Sequence, residues 1–576
     1  MYIMEKSDVT NHADINRIIK KSNFFIDEIN QLLHNHGIEF NSRLDIIMNY
    51  IHHKFHNKEL NDGNCNVDQE VNDKIETLFE DLLLDKHELI QKVFMFYCDK
   101  QTKINLSQYY TPVTIGKFIS VLLVENKTLV DPACGTGDLV LNYNGDINVW
   151  DISEDVIEMC KFNCNLNDKD ATFECVNSIK DKIDVKEQFD YCCLNPPFGT
   201  STVINDSKLL AKYELGNNKK KEEIGILFIE RAMQLLKQDG VAFIILPNGY
   251  LGNTSKNTIQ LRKWLLTFRI IGIIELPTNT FARSGAGVST SLMIIQKRKM
   301  VSNYNIFIQK VDNIGYLLNK KNTPYKYKCI NGEYVLEDNK PILDNDLDRC
   351  VKDIQLFIKN EDINNIDCSC SFMDNNGYEV INSDEIIDYI LDINRYLFKY
   401  TNIVNVFMQN KCKKLCEYIL DIPDTKFKII PTEEYLYLDI SQITTPLYKK
   451  DNMLYGCDLP VRAKHKLKKN DIIISKLKGK IAFTVILEER DDIICTNGIM
   501  VLRPRNYECL LIIFANLFTD DFQMQHTSLC RGSILESITE HEIRNIYVSE
   551  DIKVNDEKYK KYNSLLEALK ILMCSL

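Results

Sequence analysis

The segment DYCCLNPPFGT, residues 190–200, places an amide, two prolines and an aromatic ring after an apolar run typical of a buried strand. If the strand belongs to a parallel sheet, Asn195 lies at the carboxyl edge, where open α/β sheets bind ligands. Pro196 and Pro197 have fixed φ and no N–H, so they hold carbonyl groups in a set direction without competing donors. The Asn195 side-chain oxygen and the Pro196 carbonyl can then both accept hydrogen bonds from one NH2 group, while Phe198 offers a stacking face.

This combination suits methyl transfer to the exocyclic amine of adenine. That amine is a poor nucleophile because its lone pair is delocalised into the ring. Two acceptors that pull on its hydrogens favour a tetrahedral nitrogen with its lone pair directed at a methyl donor, so no strong base is required. A buried Asn-Pro-Pro turn with a purely structural role is the alternative interpretation.

A second segment, TLVDPACGTGDLVL at residues 128–141, indicates a strand, a tight turn at Gly135 and Gly137, and a helix start. Glycines there allow close approach of the backbone to a ligand, and a helix N-terminus offers free N–H groups. The third glycine of a dinucleotide fingerprint is absent. Asp151 ends the next apolar run, where an acidic residue binds ribose hydroxyls. These features predict an adenosyl ligand without pyrophosphate, S-adenosylmethionine, although a structural turn and a surface aspartate explain them equally well.

Short apolar runs alternate with helical patterns from about residue 105 to 300, which predicts βα units and a largely parallel sheet. The predicted fold class is therefore α/β with a Rossmann-like sheet. The predicted organisation is an N-terminal helical domain at 1–104, a catalytic domain at 105–300, an α+β extension and linker at 301–410, an α+β, strand-rich domain at 411–552 and a C-terminal helix at 553–576.

Composition sets the broad class of the protein. The 576 residues are 45% hydrophobic and 26% charged, with a net charge of −11, which argues against a generally basic nucleic-acid binder but leaves room for local basic faces. No apolar run reaches the roughly 18 residues of a membrane helix, and the first residues do not form a signal peptide, so a cytoplasmic protein is expected. The 19 cysteines form no CxxC pairs, which predicts reduced thiols and no metal site.

The segments LNPPF and DPACGTG together resemble the N6-adenine DNA methyltransferases, and more narrowly the modification subunit of type I restriction-modification systems. The resemblance covers about residues 20 to 360. Further segments match that family in order, namely LSQYYTP (106–112), CVNSI (175–179), GVAFIILPNGYL (240–251), IIGIIELPTNTFARSGAGVSTSLMII (270–295), IQKVDNIGYLLNKK (308–321) and NDLDRCVKDI (345–354).

The resemblance implies a Rossmann-like methyltransferase sheet and a set of site residues. Catalysis is expected from Asn195, Pro196, Pro197 and Phe198. The methionine end of S-adenosylmethionine is expected at Tyr110, Thr111 and Pro112, and its other contacts at Gln108, Asp131, Ala133, Gly135, Gly137, Asp151, Ile152, Asn177 and Ser178. Cys134 departs from the family pattern, which favours small inert residues in the turn, and its alkylation is expected to block the site.

The last third of the chain resembles a target-recognition domain of a type I specificity subunit. The matching segments are YLYLDISQIT (435–444), HKLKKNDIIISKLKGKIAF (465–483), CTNGIMVLRP (495–504) and CRGSILESITEHEIRNIYV (530–548). Its lysine-rich run has only Asp471 as a local acid and can neutralise phosphates, with a solvated basic face as the alternative. The predicted DNA-binding residues are Arg462, Lys464, Lys466, Lys468, Lys469, Lys476, Lys478 and Lys480, with Lys219, Lys220 and Lys221 near the catalytic turn.

The sequence thus predicts a site-specific, adenine-specific DNA methyltransferase that flips an adenine from duplex DNA and methylates N6 with S-adenosylmethionine. Double-stranded DNA is the expected partner. A second copy of the chain, paired through the terminal helix, or a specificity-type subunit is a possible additional partner. Three alternatives are a bifunctional restriction-modification enzyme, a protein-glutamine methyltransferase and a catalytically silent DNA-binding protein. Neither a D…(D/E)xK nuclease cluster nor a GxxxxGK[ST] phosphate loop is evident in the sequence.

Overall fold

The computed structural model describes residues 12–56, 68–79, 82–83, 86–97, 110–197, 203–281, 288–300, 303–318, 324–338, 340–367, 378–421, 425, 427–532, 536–551 and 564. Gln108, Phe198 and nearly all of the predicted C-terminal helix lie outside the described residues. The chain divides into two compact units, Met1–Leu391 and Asp392–Leu576. This division falls inside the segment 301–410 that the sequence predicts as an extension and linker.

The described part of residues 1–104 is helical. Its helices are α1 (His12–Asn35), α2 (Phe40–His56), α3 (Gln69–Phe79) and α4 (Lys86–Tyr97). Apolar residues recur on each helix at three- and four-residue spacing and pack into a common core, in which Phe25, Ile47, Ile75 and Leu89 are fully buried. The same core continues into the sheet that follows.

The remaining elements of the first unit alternate between strands and helices. The strands are β1 (Thr128–Asp131), β2 (Asp146–Asp151), β3 (Ala171–Cys175), β4 (Phe189–Leu194), β5 (Val203–Ile204), β6 (Glu222–Glu223), β7 (Leu236–Pro247), β8 (Phe268–Glu275), β9 (Thr290–Lys299), β10 (Asn305–Lys310), β11 (Cys329–Ile330), β12 (Glu333–Tyr334), β13 (Leu336–Glu337), β14 (Lys340–Pro341) and β15 (Glu379–Asn382). The helices are α5 (Val113–Val121), α6 (Glu154–Leu166), α7 (Ser207–Leu210), α8 (Ile224–Leu235), α9 (Asn248–Gly252), α10 (Lys256–Leu265) and α11 (Leu347–Asn360).

Among the described residues, the central sheet has nine strands in the order β15-β10-β8-β9-β7-β4-β1-β2-β3. Five neighbouring pairs are parallel: β1 with β2, β1 with β4, β2 with β3, β4 with β7, and β8 with β10. β9 runs antiparallel to β7 and β8, and β15 runs antiparallel to β10. The α/β fold with a Rossmann-like sheet is confirmed, and the sheet is mixed because β9 is inserted in the opposite direction.

The short apolar runs between about residues 105 and 300 include β1, β2, β4, β7, β8 and β9. β7, β8 and β9 are buried over most of their length, in keeping with their near-continuous apolar composition. The sheet also continues beyond residue 300 through β10 and β15, which the sequence pattern did not indicate. No helix in the described part of the chain combines the length and apolar character needed to cross a bilayer.

The second unit combines small sheets with short helices. Its strands are β16 (Lys413–Lys414), β17 (Glu434–Leu438), β18 (Ile443–Thr444), β19 (Leu447–Tyr448), β20 (Met453–Tyr455), β21 (Ala463–Lys466), β22 (Ile472–Ser475), β23 (Phe483–Val485), β24 (Ile493–Thr496), β25 (Ile499–Leu502) and β26 (Tyr547–Val548). Its α-helices are α12 (Phe398–Gln409), α13 (Tyr507–Asn516), α14 (Asp520–Leu529) and α15 (Glu540–Ile543).

Two sheets of this unit, β20-β17-β24-β21 and β23-β22-β25, enclose its cores. The sequence of β22 is apolar at every position except the last because this strand lies between two cores. Ile472 and Ile474 pack with α13 and α14, whereas Ile473 faces a second core formed with β17 and β24. Successive side chains of a strand point to opposite faces, so a strand between two cores must be apolar on both.

Candidate active site

Three polar side chains meet where the strand order of the central sheet reverses. β1 lies between β2 and β4 and is parallel to both, so the following connections leave in opposite directions and open a crevice at the carboxyl edge. Asp131 ends β1, Asp151 ends β2 and Asn195 directly follows β4. All three line one cavity at this edge.

The glycine turn is tied to both aspartates by backbone hydrogen bonds. The Ala133 N–H donates to the Asp131 carboxylate at 3.1 Å, and the Gly135 N–H donates to the Asp151 carboxylate at 3.1 Å. Gly135 and Gly137 have φ of +53° and +87°, a region that side chains with a Cβ rarely adopt. At Gly137 a Cβ would also lie 2.8 Å from the Cys160 sulfur on α6. Glycine at this position therefore allows the turn to pack closely on α6.

Most residues predicted from the sequence line the cavity together. They are Thr111, Asp131, Ala133, Gly135, Asp151, Ile152, Asn177, Ser178, Asn195 and Pro197. The Ile152 side chain is 64% exposed although it is large and apolar. An exposed isoleucine beside the Asp151 carboxylate provides a surface that a flat ring can cover.

Asn177 and Ser178 line the cavity while their side chains hold the local backbone. The Asn177 Oδ1 accepts hydrogen bonds from the N–H groups of Ile179 and Lys180, both at 3.1 Å. The Ser178 hydroxyl donates to the Pro132 carbonyl and so links this segment to the glycine turn. Both residues thus shape the wall, and the Asn177 Oδ1 and the Ser178 hydroxyl are already engaged within the protein.

Four other predicted residues are adjacent in sequence to lining residues but are not themselves part of the cavity lining: Tyr110, Pro112, Gly137 and Pro196. Pro112 precedes the first residue of α5, where its missing N–H is not needed. Tyr110 and Pro196 are buried. Their side chains contribute to the path of the chain around the cavity.

The Asn195 amide has one engaged end and one free end. Its Nδ2 donates to the Thr111 hydroxyl oxygen at 3.0 Å. Its Oδ1 is buried and has no hydrogen-bond partner among the described residues. A buried acceptor without a donor is unfavourable in isolation, so this oxygen is suited to a donor supplied by a ligand.

Several residues of the site lack any signal in the sequence. Ile224 and Phe228 on α8 form an apolar part of the lining, and Asp138 lies at its polar end. The Asp138 carboxylate accepts a hydrogen bond from the Thr111 N–H at 3.1 Å. His87 on α4 contacts the other carboxylate oxygen at 3.0 Å. These contacts join segments far apart in sequence, which local patterns cannot indicate.

Burial changes the acidity of the groups around the turn. It raises the pKa of Asp131 to about 8, with further raising by Asp151 and Asp138 and partial lowering by the Ala133 N–H. It also raises the pKa of Asp151, against the hydrogen bonds from Ser153 and Gly135. Burial likewise raises the pKa of the Cys134 thiol to about 11. A cationic ligand would favour the ionised form of both carboxyl groups.

The lysines near the catalytic turn differ in their surroundings. Lys219 forms an ion pair with the fully buried carboxylate of Glu222 and is only 15% exposed. Lys220 and Lys221 are exposed on the same loop. The ammonium group of Lys219 is thus already neutralised locally, whereas its two neighbours face solvent.

In the second unit, the expectation that Asp471 is the only acid near the basic run is wrong. Asp471 is buried and forms two hydrogen bonds with Arg503, at 2.7 and 2.8 Å. Other acids approach from distant parts of the sequence. Lys478 pairs with Glu536, Lys466 with Asp491 at 3.1 Å, and Arg462 lies 4.0 Å from Asp439. Lys464, Lys468 and Lys480 are exposed, and Lys469 and Lys476 are partly buried.

Residues 81–402 match the family described as N-6 DNA Methylase. This segment makes up more than half of the chain. The chain belongs to the N-6 DNA methylase family. The predicted resemblance to N6-adenine DNA methyltransferases is therefore confirmed, and the protein is an enzyme of the adenine-specific DNA methyltransferase class. No curated protein matches the chain by sequence.

Solved structures similar to this N-6 DNA methylase are distant in sequence. A type I restriction-modification methyltransferase subunit from Streptococcus thermophilus is 18% identical over 68% of this chain and 85% of its own, with a TM-score of 0.37. The M protein of the type I restriction enzyme EcoKI is 16% identical over 51% and 72%, with a TM-score of 0.30. The type IIG restriction endonuclease BpuSI is 13% identical over 98% and 75%, with a TM-score of 0.47.

Proposed function

We propose that this N-6 DNA methylase uses S-adenosylmethionine to methylate N6 of an adenine extruded from duplex DNA at a specific sequence. The observation that carries the proposal is the buried, unpartnered Oδ1 of Asn195 at the rim of the cavity that holds Asp131 and Asp151. An amine donor is what that oxygen lacks. The exocyclic NH2 of adenine, the substrate group of the family, is such a donor.

The residues of the cavity fit S-adenosylmethionine. The Asp151 carboxylate oxygens each accept one backbone hydrogen bond, from Gly135 and from Ser153, and retain lone pairs for two ribose hydroxyls. The exposed face of Ile152 suits the adenine ring of the cofactor. The buried carboxyl of Asp131 provides negative charge for a ligand that carries a sulfonium and an ammonium group.

When bound, the cofactor supplies an electrophilic methyl group. The protein contributes orientation, since the Asn195 Oδ1 and the Pro196 carbonyl would each accept one hydrogen of the target amine. These hydrogen bonds direct the nitrogen lone pair toward the methyl carbon and stabilise the positive charge that develops on nitrogen. Transfer of that methyl group would require N6 to give up one of its two protons, which would pass to solvent. Pro196 adds no donor that would compete for the acceptors.

The adenine must leave the base stack to reach a buried oxygen, because its amine is paired inside the duplex. We assign the reading of the surrounding sequence to the segment 411–552. Lys464, Lys468 and Lys480 are exposed lysines of its basic run and are suited to phosphate contacts. A homodimer or a separate specificity-type subunit is compatible with this assignment, and the mass of the DNA complex by light scattering distinguishes them from a monomer.

Among the alternatives, protein-glutamine methylation is disfavoured because the family match is to DNA methylases. A silent DNA-binding role is disfavoured by the intact set of cavity residues. A bifunctional enzyme differs by a DNA-cleaving activity, which incubation of the pure protein with magnesium and plasmid DNA tests directly.

The test of the proposed function is single-molecule sequencing of DNA from cells that express this chain alone, in a host without adenine methylation. We expect N6-methyladenine at one recurring sequence context, and none in cells that express Asn195→Ala. Absence of N6-methyladenine with the wild-type chain, while a purified specificity-type partner restores it, would show that target recognition is not contained in this chain. Absence under both conditions would refute the proposal.

A further inference from the structure

The backbone of Thr111 is held by hydrogen bonds at both its N–H and its carbonyl group, and its side chain contacts Asn195. Its N–H donates to the Asp138 carboxylate at 3.1 Å, and its carbonyl accepts from the Gln91 side chain at 2.7 Å. Its hydroxyl oxygen accepts from the Asn195 Nδ2 at 3.0 Å. Thr111 is only 3% exposed, so solvent does not compete for these bonds. The position of its hydroxyl is therefore fixed.

This fixed hydroxyl bears on the chemistry because an asparagine amide has two faces of opposite character. With Nδ2 engaged by Thr111, the Oδ1 is left as the free end. A rotation of the amide by half a turn would direct NH2 at the target amine, and two donors would then face each other. Because a hydroxyl can both donate and accept, the contact with Thr111 does not select the amide orientation, and what it fixes is the place of the Asn195 side chain.

Asp138 is itself buried and fully constrained. One carboxylate oxygen accepts from both the Thr111 N–H and the Thr136 hydroxyl, the latter at 3.0 Å. The other oxygen lies 3.0 Å from the Nε2 of His87. His87 and Asp138 are 3% and 4% exposed, and the His87 side chain does not line the cavity. A continuous chain of contacts therefore runs from α4 through Asp138 and Thr111 to Asn195.

We propose that His87, Asp138 and Thr111 form a positioning relay that holds the Asn195 side chain in place for methyl transfer. The inference rests on the proposed function, in which the Asn195 Oδ1 accepts the amine. His87 and Asp138 act only through Thr111. A buried polar relay of this kind holds one geometry because each member loses its partner if any other moves.

Two matched pairs of variants test the relay, with single-turnover methyl transfer to DNA that carries the modified sequence found by sequencing. Thr111→Val removes the hydroxyl at nearly constant volume, and Thr111→Ser keeps it. His87→Leu removes the contact to Asp138, and His87→Gln keeps a side-chain donor. A misplaced catalytic group costs up to about 100-fold in rate, so we expect kcat to fall about 10- to 100-fold in Thr111→Val and about 3- to 10-fold in His87→Leu.

The relay predicts a split between parameters that loss of structure would not produce. In the His87 variants, whose side chain lies outside the cavity lining, the dissociation constant of S-adenosylmethionine and the base extrusion reported by 2-aminopurine fluorescence should stay within about threefold of the wild type. The serine and glutamine variants should regain most of kcat. Wild-type kcat in Thr111→Val would overturn the relay, as would a loss in Thr111→Val and His87→Leu that the conservative variants fail to restore. If Thr111→Val does not fold, the His87 pair decides by the same criteria. A wild-type protein that transfers no label to DNA would instead refute the proposed function itself.

Discussion

The carboxyl group of Asp131 is expected to destabilise the folded protein at neutral pH. It is 1% exposed, and burial raises its pKa from 3.8 to about 8. Because the folded protein binds this proton more tightly than the unfolded chain, the free energy of unfolding falls as the pH rises from about 4 to about 8. At 1.36 kcal/mol per unit of pKa, the loss between pH 4 and pH 7 amounts to ~4 kcal/mol as an upper figure.

Replacing Asp131 by asparagine removes this penalty, since the amide stays neutral and its oxygen can still accept from the Ala133 N–H. Asp131→Asn should therefore exceed the wild type in stability, by an amount that grows between pH 5 and pH 8. Asp239→Asn is a suitable control, because the Arg298 guanidinium lowers the pKa of Asp239. The stability difference of that variant should be constant across the same pH range.

The assay is urea unfolding of the full chain at pH 5, 6, 7 and 8, followed by the near-ultraviolet signal of the first unit, with S-adenosylmethionine binding measured in parallel. The Asp131→Asn variant should bind the cofactor more weakly although it is more stable. Wild-type affinity should rise with pH up to about 8, because the bound cation requires the ionised carboxylate. A stability difference that does not change with pH would refute the reasoning.

Three further predictions concern the turn and the DNA surface. Gly137→Ala should abolish cofactor binding and should destabilise the protein more than Gly135→Ala. Only Gly137 combines a positive φ with a Cβ position 2.8 Å from the Cys160 sulfur. Calorimetry measures the cofactor binding, and thermal unfolding measures the stability. Cys134 should react with iodoacetamide far more slowly at pH 7.5 than the exposed Cys457, since its pKa is raised to about 11; equal rates by mass spectrometry would contradict this. Replacing Lys464, Lys468 and Lys480 by glutamine should weaken DNA binding and reduce the slope of log affinity against log salt by about 2 to 3. Lys478→Gln should change this slope less, because Glu536 already pairs with that lysine.

The location of the site was predictable from the sequence because its key residues directly follow apolar strands. Asp131, Asp151 and Asn195 each stand at or directly after the end of an apolar run typical of a strand, and parallel strands bring such ends to one edge. Most of the predicted cofactor residues line the same cavity for this reason. The resemblance added Thr111, Asn177 and Ser178, which no periodicity indicates.

The features of the fold and of the site that the sequence does not predict depend on contacts between segments that are distant along the chain. β3 has no clear apolar run because none of its residues is fully buried, and nothing in the sequence of β9 indicates its antiparallel direction. The ion pairs of Lys219 and Lys478 and the contact of His87 with Asp138 could not be foreseen, since sequence patterns report neighbours along the chain. Counting the lysines of a basic run in the sequence therefore overestimates the positive charge that is free to contact DNA.

The most direct measurement of the central claim is the single-turnover rate of methyl transfer by Asn195→Ala, with cofactor and DNA affinity determined on the same preparation. If the Asn195 Oδ1 accepts the target amine, the variant binds both ligands with near wild-type affinity while its transfer rate falls by about 100-fold or more. A transfer rate close to that of the wild type at intact binding would contradict the account.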